Sequence, residues 1–167
     1  LGMAVTEANT KATPEVYKEI LHKDESGPDR KQSWNYRSII GMLNYLAAST
    51  RPDILYVVHQ CARFCENPRR SHEKAVRTIG RYLKGTKNKG LIIKPQPKKG
   101  IECYVDASFA DGWNKNLAQD PSSLLSRIGY SISYTGFPIL WASKLQSEIT
   151  LSTTESEYVA LSQAMRD

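Results

Sequence analysis

The chain predicts an α+β fold, and three observations carry that prediction. Over residues 33–85, apolar side chains recur at three- and four-residue spacing, the period of a helix face. From residue 101 the pattern becomes strict alternation, the period of a half-buried strand. Two further short apolar runs, separated by turn residues, then lead into a helix that opens near Ser152.

Residues 1–32 are polar and broken by Pro14, Gly27 and Pro28, which predicts an irregular lead-in with one short helix near residues 15–22. Ser33 is placed to cap a helix in which Tyr36, Ile39, Ile40, Leu43, Leu46 and Ala47 share a face. Thr50-Arg51-Pro52-Asp53 then punctuates the chain. Pro52 suits a first helical turn, where an N–H would find no partner, and Asp53 favours the positive end of the helix dipole. Ile54, Val57, Val58, Cys61 and Phe64 continue this second helix toward Pro68. Ser71 is expected to cap a third, ending at Gly85. Three helices joined by short links make a compact helical unit.

Gly90-Leu91-Ile92-Ile93 reads as a short extended run, and Pro95-Gln96-Pro97-Lys98-Lys99-Gly100 as a linker at a domain boundary. The expected division is a lead-in at 1–32, a helical unit at 33–94, a linker at 95–100 and a second unit at 101–167. In the second unit Ile101, Cys103 and Val105 alternate with Glu102, Tyr104 and Asp106, making a strand over residues 101–109. Residues 111–127 are polar and loop-like. Residues 128–135 and 139–143 read as strands joined through Gly136-Phe137-Pro138, so the order is β-β-β-α.

With 167 residues, 40% hydrophobic and 24% charged, the composition is that of a soluble protein with a core. No apolar run approaches the roughly 20 residues of a membrane span, and the N-terminus lacks a secretory pattern. The chain starts at Leu1 and stops at Asp167 inside a helical pattern, so it is expected to be a piece of something longer. Cys61, Cys65 and Cys103 form no Cys-x-x-Cys pair. Cys61 and Cys65 fall on one helical face as free thiols, while His59 lies about 200° from Cys61 and cannot join them on a metal. Free thiols of this kind suit a reducing, intracellular setting.

Charge is divided unevenly. Residues 1–100 hold 19 Lys+Arg against 9 Asp+Glu, and residues 101–167 hold 4 against 8. The third helix concentrates the cations: Arg70, Lys74, Arg77, Arg81 and Lys84 fall within roughly 40° of one line at about 100° per residue. Most such runs are simply solvated faces. Here no acid interrupts the line, and Lys87, Lys89, Lys94, Lys98 and Lys99 extend it, which points to contact with a polyanion through its phosphates, without base reading.

Two carboxylates stand out. Asp106 falls at the end of a strand, followed by small Ala107 and Ser108, with Asp111 five residues on. Ser152-Thr153-Thr154-Glu155 fits a capping box, so Glu155 is expected to cap the last helix. Glu157 lies about 200° away, on the side of Tyr158, Ala160, Leu161, Ala164 and Met165, and is expected on the buried face. A buried acid needs a partner. Lys144 or Arg127 would serve structurally, and a divalent cation shared with Asp106 would serve functionally; the spacing leaves both open.

Linked motifs then resemble a known family. Tyr36-Arg37-Ser38-Ile39-Ile40-Gly41-Met42-Leu43-Asn44-Tyr45-Leu46, Thr50-Arg51-Pro52-Asp53-Ile54 and Arg81-Tyr82-Leu83-Lys84-Gly85-Thr86 resemble the tail of copia-type retrotransposon reverse transcriptases. Tyr104-Val105-Asp106-Ala107-Ser108-Phe109-Ala110, Trp141-Ala142-Ser143-Lys144-Leu145-Gln146 and Leu151-Ser152-Thr153-Thr154-Glu155-Ser156-Glu157-Tyr158-Val159-Ala160-Leu161 look like the ribonuclease H segment that follows it in the Pol polyprotein. The resemblance implies a helical thumb or connection unit, then an incomplete ribonuclease H-like domain. It also implies hydrolysis of the RNA strand of an RNA–DNA hybrid by two Mg²⁺ ions, with Asp106 and Glu157 as catalytic and metal-binding residues. The polymerase's paired aspartates are absent, and the family's third carboxylate would follow Asp167, so the fragment is expected to be inactive alone. Its partners would be nucleic acid and the rest of the polyprotein, in a cytoplasmic virus-like particle or the nucleus. A second reading is a non-catalytic nucleic-acid-binding remnant of a decayed element.

Overall fold

Apolar spacing in the first half of the chain is realised as three packed helices. The computed structural model describes residues 9–15, 21–31, 33–113, 115 and 120–167, and the short helix expected near residues 15–22 falls largely outside them. The chain divides into two compact units, Leu1–Leu91 and Ile92–Asp167.

In the first unit, α1 (Tyr36–Ser49) packs on α2 (Leu55–Ala62), which packs on α3 (Arg70–Gly85); a single 3₁₀ turn, Pro52–Ile54, sits between α1 and α2. Their core is made by Tyr36, Ile39, Ile40, Leu43 and Ala47 from α1, by Ile54, Val57, Val58, Cys61 and Phe64, and by Val76, Ile79 and Tyr82 from α3. The helix caps differ from expectation. Asn35, not Ser33, caps α1 by accepting from the Ser38 N–H at 3.0 Å. Ser71 lies inside α3, and the helix start is closed instead by His72, whose Nδ1 accepts the Arg69 N–H at 2.9 Å. Helix α2 stops at Ala62, well short of Pro68, and the chain tightens through Phe64 and Cys65 N–H bonds to carbonyls three residues back.

No strand forms over residues 90–93. In the second unit β1 (Ile101–Ser108), β2 (Arg127–Tyr134) and β3 (Phe137–Leu145) make an antiparallel sheet in the order β1-β2-β3. The hairpin turn is Thr135-Gly136, one residue earlier than expected, with φ of 51° and 78°. Two left-handed residues match the twist of the flanking strands, so Phe137 and Pro138 already belong to β3. Pro138 has no N–H to give to a ladder, and it sits on this edge strand beside the register irregularity at Ile132/Ser133. Residues 95–100 are tied to the same turn: the Gln96 N–H donates to the Thr135 carbonyl at 2.8 Å, and the Thr135 N–H to the Gly100 carbonyl at 3.0 Å.

Helix α4 (Thr153–Ala164) packs on β1 and β2. Its buried line is Ser156, Ala160 and Ala164, small side chains that let helix and sheet approach closely. This corrects the expected face: Glu157 is exposed, as are Tyr158 (69%), Leu161 and Met165 (79%). Weighting positions by hydrophobicity favoured the large residues, whereas the packing is decided by small ones. Among the described residues, no helix is long and apolar enough to cross a membrane.

Candidate nucleic-acid interface and carboxylates

Both ends of α3 are anchored by polar contacts, most of them partly buried, that set the direction of its cationic line. Toward the start, the Lys31 N–H donates to Glu73 at 2.9 Å, the Ser71 hydroxyl to Asp24 at 2.8 Å and the Arg70 N–H to the Pro28 carbonyl at 3.1 Å; Arg69 pairs with Asp29. Glu73, the acid of this helix, is buried. It is therefore withdrawn from the exposed side. At the far end, the buried Arg51 guanidinium holds Asp53 through two bonds of 2.9 and 2.8 Å. It also donates to the Thr86 carbonyl at 3.1 Å and the Thr86 hydroxyl at 2.7 Å. The Tyr82 hydroxyl closes the cluster on Asp53. Arg51 holds the Asp53 carboxyl below its ordinary range, and in turn fixes the last turn of α3.

Between these anchors Arg70, Lys74 and Lys84 are exposed, and Arg77 and Arg81 half-buried, with the Arg81 Nε donating to the Asn9 carbonyl. The five cations therefore share one helix face, opposite the buried Val76, Ile79 and Tyr82.

Asp106 is exposed near the end of β1, where it faces Gly129 across the ladder. Residues paired across a ladder point to one side, so Asp106 lies on the side of Gly129 and Ser143. Ile128, Tyr130 and Lys144 lie on the other, and Tyr130 and Lys144 both reach Asp167, three residues beyond α4. Glu157 is exposed on α4, and neither cation of its structural alternative pairs with it: Lys144 meets Asp167 at 3.1 Å and Arg127 meets Asp111 at 3.0 Å. Glu155 does cap the helix, accepting the Leu151 N–H at 2.6 Å while the Ser152 hydroxyl accepts its own N–H at 3.1 Å.

Mg²⁺ demands near-octahedral oxygen coordination. The described residues contain no group of three or more His, Cys, Asp or Glu able to hold a metal. Asp106 and Glu157 have the right donor chemistry but too few oxygens, so these residues do not by themselves accommodate the two implied ions. The cysteines are free: Cys61 is buried, with burial pushing its thiol up to about 12, Cys65 is half-buried and Cys103 exposed.

Sequence reasoning missed the buried Arg127–Asp111 ion pair and the polar chain beside it. Ser126 accepts the Ala110 N–H at 3.3 Å and meets the Thr150 hydroxyl at 3.0 Å, and Gln146 donates to the Ser156 carbonyl at 2.8 Å. The only signal available was the placement of Asp111 and Arg127 at opposite ends of one loop.

These features define a two-unit α+β protein with a helix whose exposed face is cationic and with a strand-end carboxylate. The chain is 37% identical over 133 residues to the retrovirus-related Pol polyprotein from transposon RE1 of Arabidopsis thaliana, and 37% identical over 132 residues to that from transposon TNT 1-94 of Nicotiana tabacum. These matches cover 80% and 79% of this chain but only 8% and 9% of the relatives. Secreted RxLR effector protein 161 of Plasmopara viticola is 33% identical over 132 residues, which cover 79% of this chain and 87% of that protein. The chain is thus related to retrovirus-related transposon Pol polyproteins, of which it matches a short segment. No family model and no solved structure matches it.

Proposed function

We propose that the chain is the segment of a copia-type Pol polyprotein in which the end of the reverse transcriptase, a helical thumb or connection unit, meets a ribonuclease H-like region. Its own task is to grip an RNA–DNA hybrid. The observation that carries this reading is the cationic face of α3, kept one-signed because Glu73 is turned inward and bonded by Lys31. Arginine and lysine on a rigid helix contact phosphates of either strand without reading bases. Asp106 and Glu157 are two carboxylates of a larger set, and hydrolysis of the RNA strand belongs to the whole polyprotein.

A salt titration of hybrid binding tests this. The log–log slope is expected to be about −3 to −5, and Arg70→Ala with Arg77→Ala should make it shallower by about one to two units. In millimolar Mg²⁺ this chain should bind hybrid without cutting it. An affinity indifferent to salt, or a double variant with the parent slope, would overturn the reading. A second reading is a non-catalytic nucleic-acid-binding remnant; in its favour, the match covers 87% of the Plasmopara viticola protein, so a segment of this extent also occurs as a short protein.

A further inference from the structure

Residues 109–113, which leave β1, carry several polar contacts yet display two large aromatic side chains. Ala110 has a φ of 48°, a left-handed conformation uncommon for a residue with a Cβ. Two contacts hold it there. The Ala110 N–H donates to the fully buried Ser126 hydroxyl, and its carbonyl accepts the Trp113 N–H at 3.0 Å. Next to it, Asp111 is fixed by the buried Arg127 at 3.0 Å and takes a further bond from the Ser108 hydroxyl at 3.3 Å. A segment tied down this way would ordinarily turn its apolar groups inward. Instead Phe109 is 41% exposed and Trp113 53% exposed, and the chain continues into exposed Lys115.

We infer that Phe109 and Trp113 form a preorganised stacking step for an unpaired base of the nucleic acid, immediately beyond the strand end that carries Asp106. This rests on the nucleic-acid reading above and adds to it the kind of strand that the second unit contacts. Every base has a π-face, so aromatic stacking takes single-stranded nucleotides of any sequence, whereas bases within a duplex are already stacked and offer only sugar and phosphate. Two features favour nucleic acid over an apolar protein segment as the occupant. Arg127 neutralises Asp111, the acid inside the step, and Lys115 supplies a cation for the backbone phosphate. Residues already fixed by hydrogen bonds also lose little conformational freedom on binding.

The test compares two probes on the whole chain: a blunt RNA–DNA hybrid, and the same hybrid with a short single-stranded extension. Stacking is worth roughly 1–3 kcal/mol per base, about 5- to 150-fold in affinity. Trp113→Ala is therefore expected to weaken binding of the extended probe at least 5-fold while leaving the blunt probe and the salt slope unchanged. Trp113→Phe should restore most of the loss, and Phe109→Ala should give a smaller loss of the same kind. Tryptophan fluorescence should be quenched by the extended probe, and the quenching should vanish in Trp113→Phe. If Trp113→Ala binds both probes as the parent does, with the α3 variants still weakened, the stacking step is wrong and the grip on the hybrid stands. If the parent chain binds neither probe, the nucleic-acid reading itself fails.

Discussion

At the scale of single residues, His72 shows how a buried ring is committed to one protonation state. It is fully buried and stacks on Phe64 with ring centroids 4.2 Å apart. Its Nδ1 accepts the Arg69 N–H, so Nε2 carries the hydrogen and donates to the His22 carbonyl at 2.9 Å. A second ring N–H would confront the Arg69 N–H directly. Burial accordingly holds the imidazole below its ordinary 6.5, opposed in part by the His22 carbonyl and Asp24. A depressed histidine leaves the unfolded chain the better proton acceptor, so its contribution is complete above about pH 6.5 and is lost as pH falls below it. Thermal unfolding from about pH 7.5 down to about 5.5 should show this loss, and His72→Gln should remove that component; equal slopes for the two proteins would refute the assignment. Asp53 loses its own contribution only further down, as pH falls below the ordinary carboxyl value of 3.8. At this same scale the sequence was most misleading about Glu157. Helical rotation relative to Glu155 was right, but the buried side of α4 is lined by Ser156, Ala160 and Ala164, which a count of large apolar residues does not detect.

At the scale of elements, the strong periods were legible and the ends were not. Helices α1 and α3 and all three strands lie where apolar spacing placed them, because burial of one face decides both register and type. Caps at Ser33 and Ser71 failed for a different reason: several nearby side chains can accept an N–H, and tertiary contacts choose among them. Ser71 is drawn to Asp24, and His72 takes the capping role. The Arg51 clamp is likewise invisible in spacing, since Arg51 and Thr86 are far apart in sequence and meet only through folding. Its planar fork makes bonds to Asp53 and Thr86 together, which a lysine cannot reproduce. Arg51→Lys is expected to cost about 0.5–1.5 kcal/mol through lost hydrogen bonds to exposed Asp53 and half-buried Thr86. Hydrogen exchange should then be faster at the last turn of α3 than at its start. Uniform exchange along α3 in this variant would show that the clamp does not hold the helix end.

At the scale of the whole chain, the α+β class was legible because the period changes from helical to alternating between the two halves and back to helical only at the last helix. The candidate site was legible in part. Five cations at fixed spacing announce a shared face, whereas the Asp111–Arg127 pair and the polar chain around Ser126 depend on which loops close on each other. The sheet itself bears on how the protein behaves in solution. Among the described residues β1 bonds to a neighbour on one side only, and Ile101, Cys103 and Tyr104 on that strand are exposed. A row of free amides and carbonyls is a template for another copy of itself. Glu102 and Asp106 oppose such pairing through like charge, so crowding and added salt act together to promote it. Light scattering of the isolated chain is therefore expected to rise with concentration and with ionic strength, the reverse of salt's effect on its grip on nucleic acid, and Ile101→Lys should suppress the rise. Scattering independent of both would show the edge to be harmless. Where the edge does pair, the exposed Cys103 thiols are carried toward one another. A weak, reversible association could then be locked by air oxidation into a covalent dimer that a reducing agent dissolves.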